Sequence, residues 1–387
     1  MFDVTIENSF DFRSPEYREL FGKSAATAFQ HPNWLSSLYS KLLAANSATP
    51  LIVVARWRSG GRLAMVLPLV RRRYAALRAI EFADLRVSDY VSPVADAETF
   101  DAIVADAEAV STVRRLLKPY DLLRIGKLAD RSLPLEKLLG IRNRENMGMS
   151  AYATPLDPSF DVWRQKRMKQ SYCKELDKKS RQLHRRGEVR FECVTEPGAM
   201  AKAFEAMRTY RGERFKDRDG VGDLLQLPAY YDFYTDIART GLDGSARTYA
   251  MWLDGRPIAV ALGLAHRNAL LVILGGFDFS FKNMSIGSLM FEQVARDCIG
   301  RGETFLDFTI GDEPYKLTFG SEPSAMWQIS RSGSPLGYTA GLVVEKLPAA
   351  KVLARRLFHG AREGKASAGS ARSRLLPPST RSPLPDP

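Results

Sequence analysis

Apolar runs of strand type and apolar residues at helical spacing take turns along this chain, and they do so twice in the same order. Residues 50–70, "PLIVVARWRSGGRLAMVLPLV", are two β-rich runs joined by a glycine turn. Residues 247–265, "RTYAMWLDGRPIAVALGLA", repeat the arrangement, with Asp254-Gly255 as a strong two-residue hairpin signal. Each hairpin precedes another strand, a helical stretch and a further short strand. In the first case these are "RAIEFADL", residues 97–117 and "YDLLRIG"; in the second, "ALLVILGGFDF", residues 286–300 and "TFLDFTI". Trp57 and Trp252 end equivalent strands and lie 195 residues apart. That period is far too long for a solenoid and predicts a duplicated α/β domain.

Helices are expected ahead of each hairpin, where apolar residues fall three and four apart: within residues 14–46, over "PGAMAKAFEAMRTYRGERF" and over "LPAYYDFYTDIART". Between the halves, residues 160–190 read as one basic helix interrupted at Gly187. The predicted organisation is a first half over 1–155, a basic linking helix over 156–190, a second half over 191–335, and a basic helix with a disordered tail over 336–387.

Composition narrows the class. With 387 residues, 45% hydrophobic and 26% charged, the chain can bury a large core without staples. Cys173, Cys193 and Cys298 form no C-x-x-C pair and only four histidines are present, so no metal site is expected. The start, "MFDVTIENSFDF", has neither the basic nor the apolar region of a signal peptide, and no apolar run is long enough for a bilayer-spanning helix. A cytoplasmic protein is expected, peripheral at a membrane if the basic tail binds there. The net charge of +12 is concentrated between Arg164 and Arg190 and again from Lys351 onward, which suits phosphates in general. The nucleophile-elbow, P-loop and dinucleotide fingerprints are absent.

Candidate chemistry gathers in the second half. "FDFSFKNMSIGSLMFEQVARDCIG" leaves a strand and opens a helix whose apolar face is Ile286, Leu289, Met290, Val294 and Cys298. Ser285 stands at the N-cap position, Gly287 leaves the first turn open to a ligand, and Ser288 adds a hydroxyl. Such a helix start attracts phosphate. Downstream, "FLDFTIGDEPYKLTFG" places Asp307 in an otherwise apolar strand, so this carboxylate is either paired or turned toward a cleft.

The order of these elements resembles the GNAT acyltransferase fold, in which two splayed strands admit acyl-CoA and the next helix receives its pyrophosphate. The pieces "HPNWLSSLY", "LPLVRRR", "SDYVSPV", "RRGEVRFECV", "SIGSLM" and "DFTIGDEPYKLTF" resemble, over residues 25 to 330, the acetyltransferases associated with cellulose and exopolysaccharide biosynthesis (CelD/BcsL type). These are related to the Fem peptidyltransferases and carry two GNAT-like halves. The resemblance implies an α/β fold of two tandem GNAT-like domains, each a mixed, mostly antiparallel sheet flanked by helices. It implies acetyl-CoA as co-substrate, no metal, and a small-molecule or glycan acceptor, within a polysaccharide-synthesis complex at the inner membrane surface.

For the site, the resemblance implies that backbone amides of Leu274, Gly275 and Gly276 receive the acyl carbonyl, and that Ser285, Ile286, Gly287 and Ser288 receive the diphosphate. Tyr315 would protonate the departing thiolate, with Asp307 or Asp278 as base. Asp89, Tyr90, Arg211 and Lys316 are the acceptor-side candidates. Each has a plain structural alternative: capping for Asp307, packing for Tyr315, an ion pair for Lys316, a turn before Pro93 for Asp89 and Tyr90. The first half has an acidic helix start, "DAETFDAIVA", which would repel a diphosphate, so only the second half is expected to bind one. Two other functions fit the same residues: a Fem-like transferase using aminoacyl-tRNA on the basic helix, and a non-catalytic scaffold for a polysaccharide synthase. That helix lacks interleaved aromatics, so nucleic acid is not expected to bind.

Overall fold

The computed structural model describes residues 1–216 and 222–342. The predicted basic C-terminal helix and tail therefore lie, from residue 343 on, outside the described residues. The first half comprises β1 (Phe2–Glu7), α1 (Pro15–Lys23), α2 (Pro32–Lys41), β2 (Ala48–Trp57), β3 (Leu63–Tyr74), β4 (Leu77–Phe82), α3 (Ala97–Ala105), α4 (Ala107–Leu116), β5 (Leu122–Ala129), α5 (Leu135–Leu139) and β6 (Glu145–Pro155). The remainder comprises α6 (Phe160–Arg167), α7 (Gln170–His184), β7 (Val189–Val194), α8 (Pro197–Phe215), α9 (Pro228–Thr240), β8 (Ala246–Leu253), β9 (Arg256–His266), β10 (Ala269–Phe277), α10 (Ile286–Gly300), β11 (Phe305–Ile310) and β12 (Glu322–Ser332).

All twelve strands join one sheet, ordered β1-β2-β3-β4-β5-β12-β6-β11-β10-β9-β8-β7. Read from its two edges inward, the sheet has the same sequence of strands: β1 matches β7, β2 matches β8, and so on to β5 and β11. Both β4–β5 and β10–β11 are parallel pairs in an otherwise antiparallel sheet. The duplication expected from the hairpins is therefore present in the topology. At the centre the halves exchange strands. The last strand among the described residues, β12, pairs with β5 of the first half, and β6 pairs with β11 of the second.

Burial on both faces explains the continuous apolar runs in β2, β3, β8 and β9. One face carries a core shared by both halves, where Trp34 of α2 meets Phe233 of α9 edge-on at 4.9 Å and Phe204 and Met207 of α8 are fully buried. The other face carries two separate cores: Phe100, Ile103 and Val113 of α3 and α4 in the first half, and Trp163, Leu176, Leu289 and Val294 of α6, α7 and α10 in the second.

Three helical expectations change. The basic stretch is two helices, not one, broken at Met168, whose extended backbone (φ −108°, ψ 148°) turns its side chain into the core; the second ends at His184, before Gly187. The stretch 97–117 is also two helices, because Asp106 takes a non-helical conformation and caps α4 by accepting from the Ala109 N–H at 3.1 Å. Ser285 does not cap α10 with its side chain. A 3-10 helix over Phe279–Met284 runs straight into α10, so Ser285 is a left-handed hinge (φ 53°, ψ 36°) between two helices. The apolar face read for α10 is buried as expected. Among the described residues no helix is long and apolar enough to cross a membrane.

Candidate active site

The parallel pairing of β10 with β11 lasts three residues and stops where Leu271 faces Asp307. Beyond that point the strands diverge. A β-bulge between Val272 and Leu274 bends β10, and β11 is irregular between Asp307 and Ile310, where Thr309 adopts a left-handed backbone (φ 57°). The gap is the centre of a cavity of about 440 Å³, walled by Val272–Phe277 on one side and Phe308–Ile310 on the other.

Strand phase decides which amides face this gap. The Asp278 N–H bonds to Ile258 O at 2.9 Å, which fixes the alternation of the β9–β10 ladder. Leu274 and Gly276 therefore spend their N–H groups on β9, and Gly275 and Phe277 turn theirs toward the gap. The Arg211 guanidinium, donating to Gly275 O at 3.1 Å from the open side, agrees with that phase. So of the three amides expected to meet an acyl carbonyl, only that of Gly275 points correctly. The double glycine has two separate uses. A Cβ on Gly276 would press at 3.1 Å on Met207 of α8, and a Cβ on Gly275 would lie 3.7 Å from the ring of Phe291 on α10. The two helices flank the gap on opposite faces of the sheet.

The start of α10 forms one end of the cavity through Gly287 and Ser288. The first intrahelical bond runs from Leu289 N–H to Ser285 O, so the amides of Ile286, Gly287 and Ser288 precede the helical ladder. No acidic residue stands in this first turn. The Ile286 side chain is buried in the core, so it can meet a ligand only through its backbone, and Ser285 does not line the cavity. Ser288 Oγ accepts from the Tyr172 hydroxyl of α7 at 2.7 Å, and Lys179 Nζ donates to Asn283 O at 2.7 Å. The basic helix thus braces the loop that aims α10 at the gap.

The stretch after β11 closes the other end. Gly311 has a φ of +129°, and a Cβ there would strike the Glu313 carboxylate at 2.5 Å. Lys316 is buried and donates to Thr309 O at 3.2 Å and Ile310 O at 3.1 Å, with Glu313 Oε2 3.1 Å away. It ties the end of β11 to the 3-10 helix Pro314–Phe319 and makes no direct ion pair with Asp307. Tyr315 lines the cavity and stacks on Phe291 (centroids 5.5 Å apart, 6° between planes); burial raises its pKa well above the ordinary phenol value.

The three carboxylates differ. Asp307 does not line the cavity. It accepts from the Tyr90 hydroxyl at 2.9 Å and the Thr309 N–H at 2.7 Å, and burial pushes its carboxyl up to about 6 against those bonds. It is thus the paired member of the two alternatives read from the strand. Asp278 caps the 3-10 helix before α10, accepting from Ser280 N–H at 2.9 Å and pairing with Arg256 at 2.8 Å. Burial opposes these bonds, but they hold its pKa below the usual carboxylate value. Asp89 does line the cavity, brought from the first half, and Tyr90 beside it is the donor to Asp307. Arg211 lines the cavity with its guanidinium tied to Asp223 at 2.7 Å.

Phe291, Thr309 and Glu313 also line the site and were not singled out from sequence. The spacing offered a signal for two of them: Phe291 follows Gly287 by one helical turn, and Glu313 precedes Lys316 by three residues. Nothing in the residue type of Thr309 announces a left-handed conformation. Among the described residues no cluster of potential metal ligands is present.

Residues 170–317 match the family model of the acetyltransferase (GNAT) domain, which spans α7 to the Pro314–Phe319 turn. No curated protein matches the chain. Among solved structures, FemX is similar with a TM-score of 0.59 at 13% identity, covering 86% of this chain and 98% of that one. The C-terminal domain of a putative lysylphosphatidylglycerol synthetase from Agrobacterium fabrum gives a TM-score of 0.54 at 12% identity, covering 87% and 97%. The L-PGS structure from Bacillus licheniformis gives 0.53 at 12%, covering 86% and 96%. At these identities the likeness is one of fold, and with the family match over its second half the chain has a GNAT-like, two-halved α/β fold.

Proposed function

We propose that this chain is an acyl-CoA-dependent acyltransferase, transferring an acyl group, acetyl in the simplest case, to an amine or a sugar hydroxyl by direct attack on the thioester. The observation that carries the reading is the opening between β10 and β11, with the Gly275 amide facing into it and the bare first turn of α10 at its mouth. An acyl-CoA fits such a site: helix-start amides of Ile286, Gly287 and Ser288 for the diphosphate, and a gap between strands for the thioester arm. The Gly275 N–H would stabilise the oxyanion that develops on the acyl carbonyl. Tyr315, with its proton held by a raised pKa, would return a proton to the departing thiolate. Lys316 would keep β11 and its turn in place.

Titration calorimetry with acetyl-CoA tests the reading. Binding with one site per chain is expected, and folded protein that gives no binding heat across temperatures would remove it. A second reading, an aminoacyl transferase that takes its donor from tRNA, is supported by the fold shared with FemX. It requires RNA binding through α7 that falls steeply with salt. A role beside a cellulose or exopolysaccharide synthase, at the cytoplasmic face of a membrane, rests on the sequence resemblance alone. Co-sedimentation with liposomes, with and without residues 343–387, tests it.

A further inference from the structure

The cavity of the candidate active site crosses the sheet. Its lining takes Gly287, Ser288 and Phe291 from α10 on one face, passes through the gap between β10 and β11, and continues to Arg211 of α8 on the other. There it meets a second cavity of about 270 Å³, which among the described residues is lined from the α8 face, by Leu224, Leu225, Tyr234 and by Arg86 and Val87 of the first half. Asp89, Arg211, Phe215, Ile273 and Leu274 line both. Only one of these five carries a carboxyl group, and it is the one the first half delivers.

We propose, on the acyl-CoA reading above, that donor and acceptor enter from opposite faces of the sheet and that Asp89 receives the acceptor's proton where they meet. The acyl-CoA lies on the α10 side with its thioester in the gap. The acceptor, an amine or hydroxyl on a narrow polar molecule, comes through the second cavity. Its nucleophilic N–H or O–H gives a proton to the Asp89 carboxylate as the new bond to the acyl carbon forms. The C–S bond then breaks, and the thiolate takes a proton from Tyr315. Burial is the main influence on Asp89 and raises its pKa, with Asp84 adding to it, while Lys127 of β5, the Thr309 side chain and Lys316 favour the ionised form. Tyr90, Asp307 and Tyr234 complete its surroundings. A carboxylate so placed is more basic than one in water. The arrangement also gives the first half a part in the chemistry, since Asp307 and Asp278 do not reach the cavity.

Position is tested by affinity labelling. In Asp89→Cys, bromoacetyl-CoA should alkylate the introduced thiol, with loss of bromide, at one equivalent per chain and at least ten times faster than iodoacetamide does. Excess CoA should block it. The natural protein should stay unlabelled at the buried Cys173 and Cys298. Failure of bromoacetyl-CoA to label the variant, with calorimetry showing that acetyl-CoA still binds, overturns the proposal and leaves the acyl-CoA reading standing. Loss of acetyl-CoA binding in the natural protein removes both.

Proton transfer is tested by Asp89→Asn, following thiol release from acetyl-CoA. With 2-aminoethanol, which must shed a proton, the variant should lose about 100-fold or more. With hydroxylamine, unprotonated at neutral pH, it should come within about threefold of the natural protein. An equal loss with both nucleophiles, or a loss with neither, overturns the base assignment. On the acceptor side, Leu224→Trp should raise the KM for 2-aminoethanol at least tenfold and leave acetyl-CoA affinity unchanged; an unchanged KM overturns the entry route.

Discussion

The two halves share one topology and differ in what fills the space between their parallel strands. In the second half, β10 continues past its last partner on β11 and the space stays open. In the first half, β4 ends just past Glu81, its last contact with β5, and residues 83–95 take over. The Val91 N–H bonds to Lys127 O at 3.1 Å, Val94 exchanges two bonds with Val66 of β3, and Lys127 Nζ donates to Ser88 O at 2.7 Å. This segment is hydrogen-bonded to strands on both sides and occupies the position of the opening. Its Asp89 and Tyr90 then project into the second half. The lesson is that duplication kept the frame and divided the labour: one copy holds the opening, and the other supplies a plug whose side chains serve it.

Helix starts carry the largest expected difference. Gly287→Glu puts a negative charge where the diphosphate is proposed to rest and should weaken acetyl-CoA binding by about 100-fold or more, with the circular dichroism spectrum unchanged. The converse change in the first half, Glu98→Gly, should create no second site in calorimetry, because the plug remains. A second binding event would break the comparison.

Next comes the plug itself. Val91→Pro removes the N–H that holds residues 83–95 to β5, leaving a buried carbonyl without its partner, and should cost about 2–3 kcal/mol in urea denaturation. Across the open gap the Thr309 hydroxyl donates to Val272 O at 3.4 Å, and the β10–β11 pairing ends before Gly275, so substitutions at Gly275 should alter ligand binding far more than stability.

Asp307 sharpens the comparison through pH. Its folded pKa of about 6 lies above the ordinary 3.8. As pH rises between these values the unfolded chain ionises first, so this residue costs stability above the window and costs none below it. Asp307→Asn should therefore match the natural protein near pH 4 and gain about 2 kcal/mol on it by pH 7. Equal pH profiles would mean the Tyr90 and Thr309 donors balance burial in full.

The smallest effect separates a true cap from a hinge. Asp96 accepts from Thr99 N–H at 2.8 Å at the start of α3, so Asp96→Ala should cost about 1 kcal/mol. Ser285 makes no such bond at the start of α10, so Ser285→Ala should be neutral within about 0.5 kcal/mol. Ser285→Gly should stabilise by up to about 1 kcal/mol by relieving the left-handed backbone.

Much of this frame was legible in the residues. Hairpin turn chemistry at Asp254-Gly255 and the recurring order of runs disclosed the duplication, and the apolar face of α10 emerged from its spacing alone. Gly287, Ser288, Tyr315, Lys316, Asp89 and Arg211 do meet in one cavity. Pairing across the sheet was not legible, because it depends on contacts far apart in sequence: nothing local says that Tyr90 reaches Asp307, or that β12 returns to β5. Strand phase was also hidden, and it decides that Gly275 and not Gly276 faces the gap. The break at Met168 arises from a side chain finding a core, which overrides a helix-favouring neighbourhood.

The exchange of β6 and β12 bears on how this molecule tolerates being cut. A fragment ending before residue 322 would leave β5 with an unsatisfied edge, and a fragment beginning after 155 would leave both β11 and β12 without the strand between them. Such bare edges invite pairing with other chains. Neither copy is therefore a portable module. Separately expressed pieces should recover solubility only when mixed, each lending the other the strip of backbone it lacks.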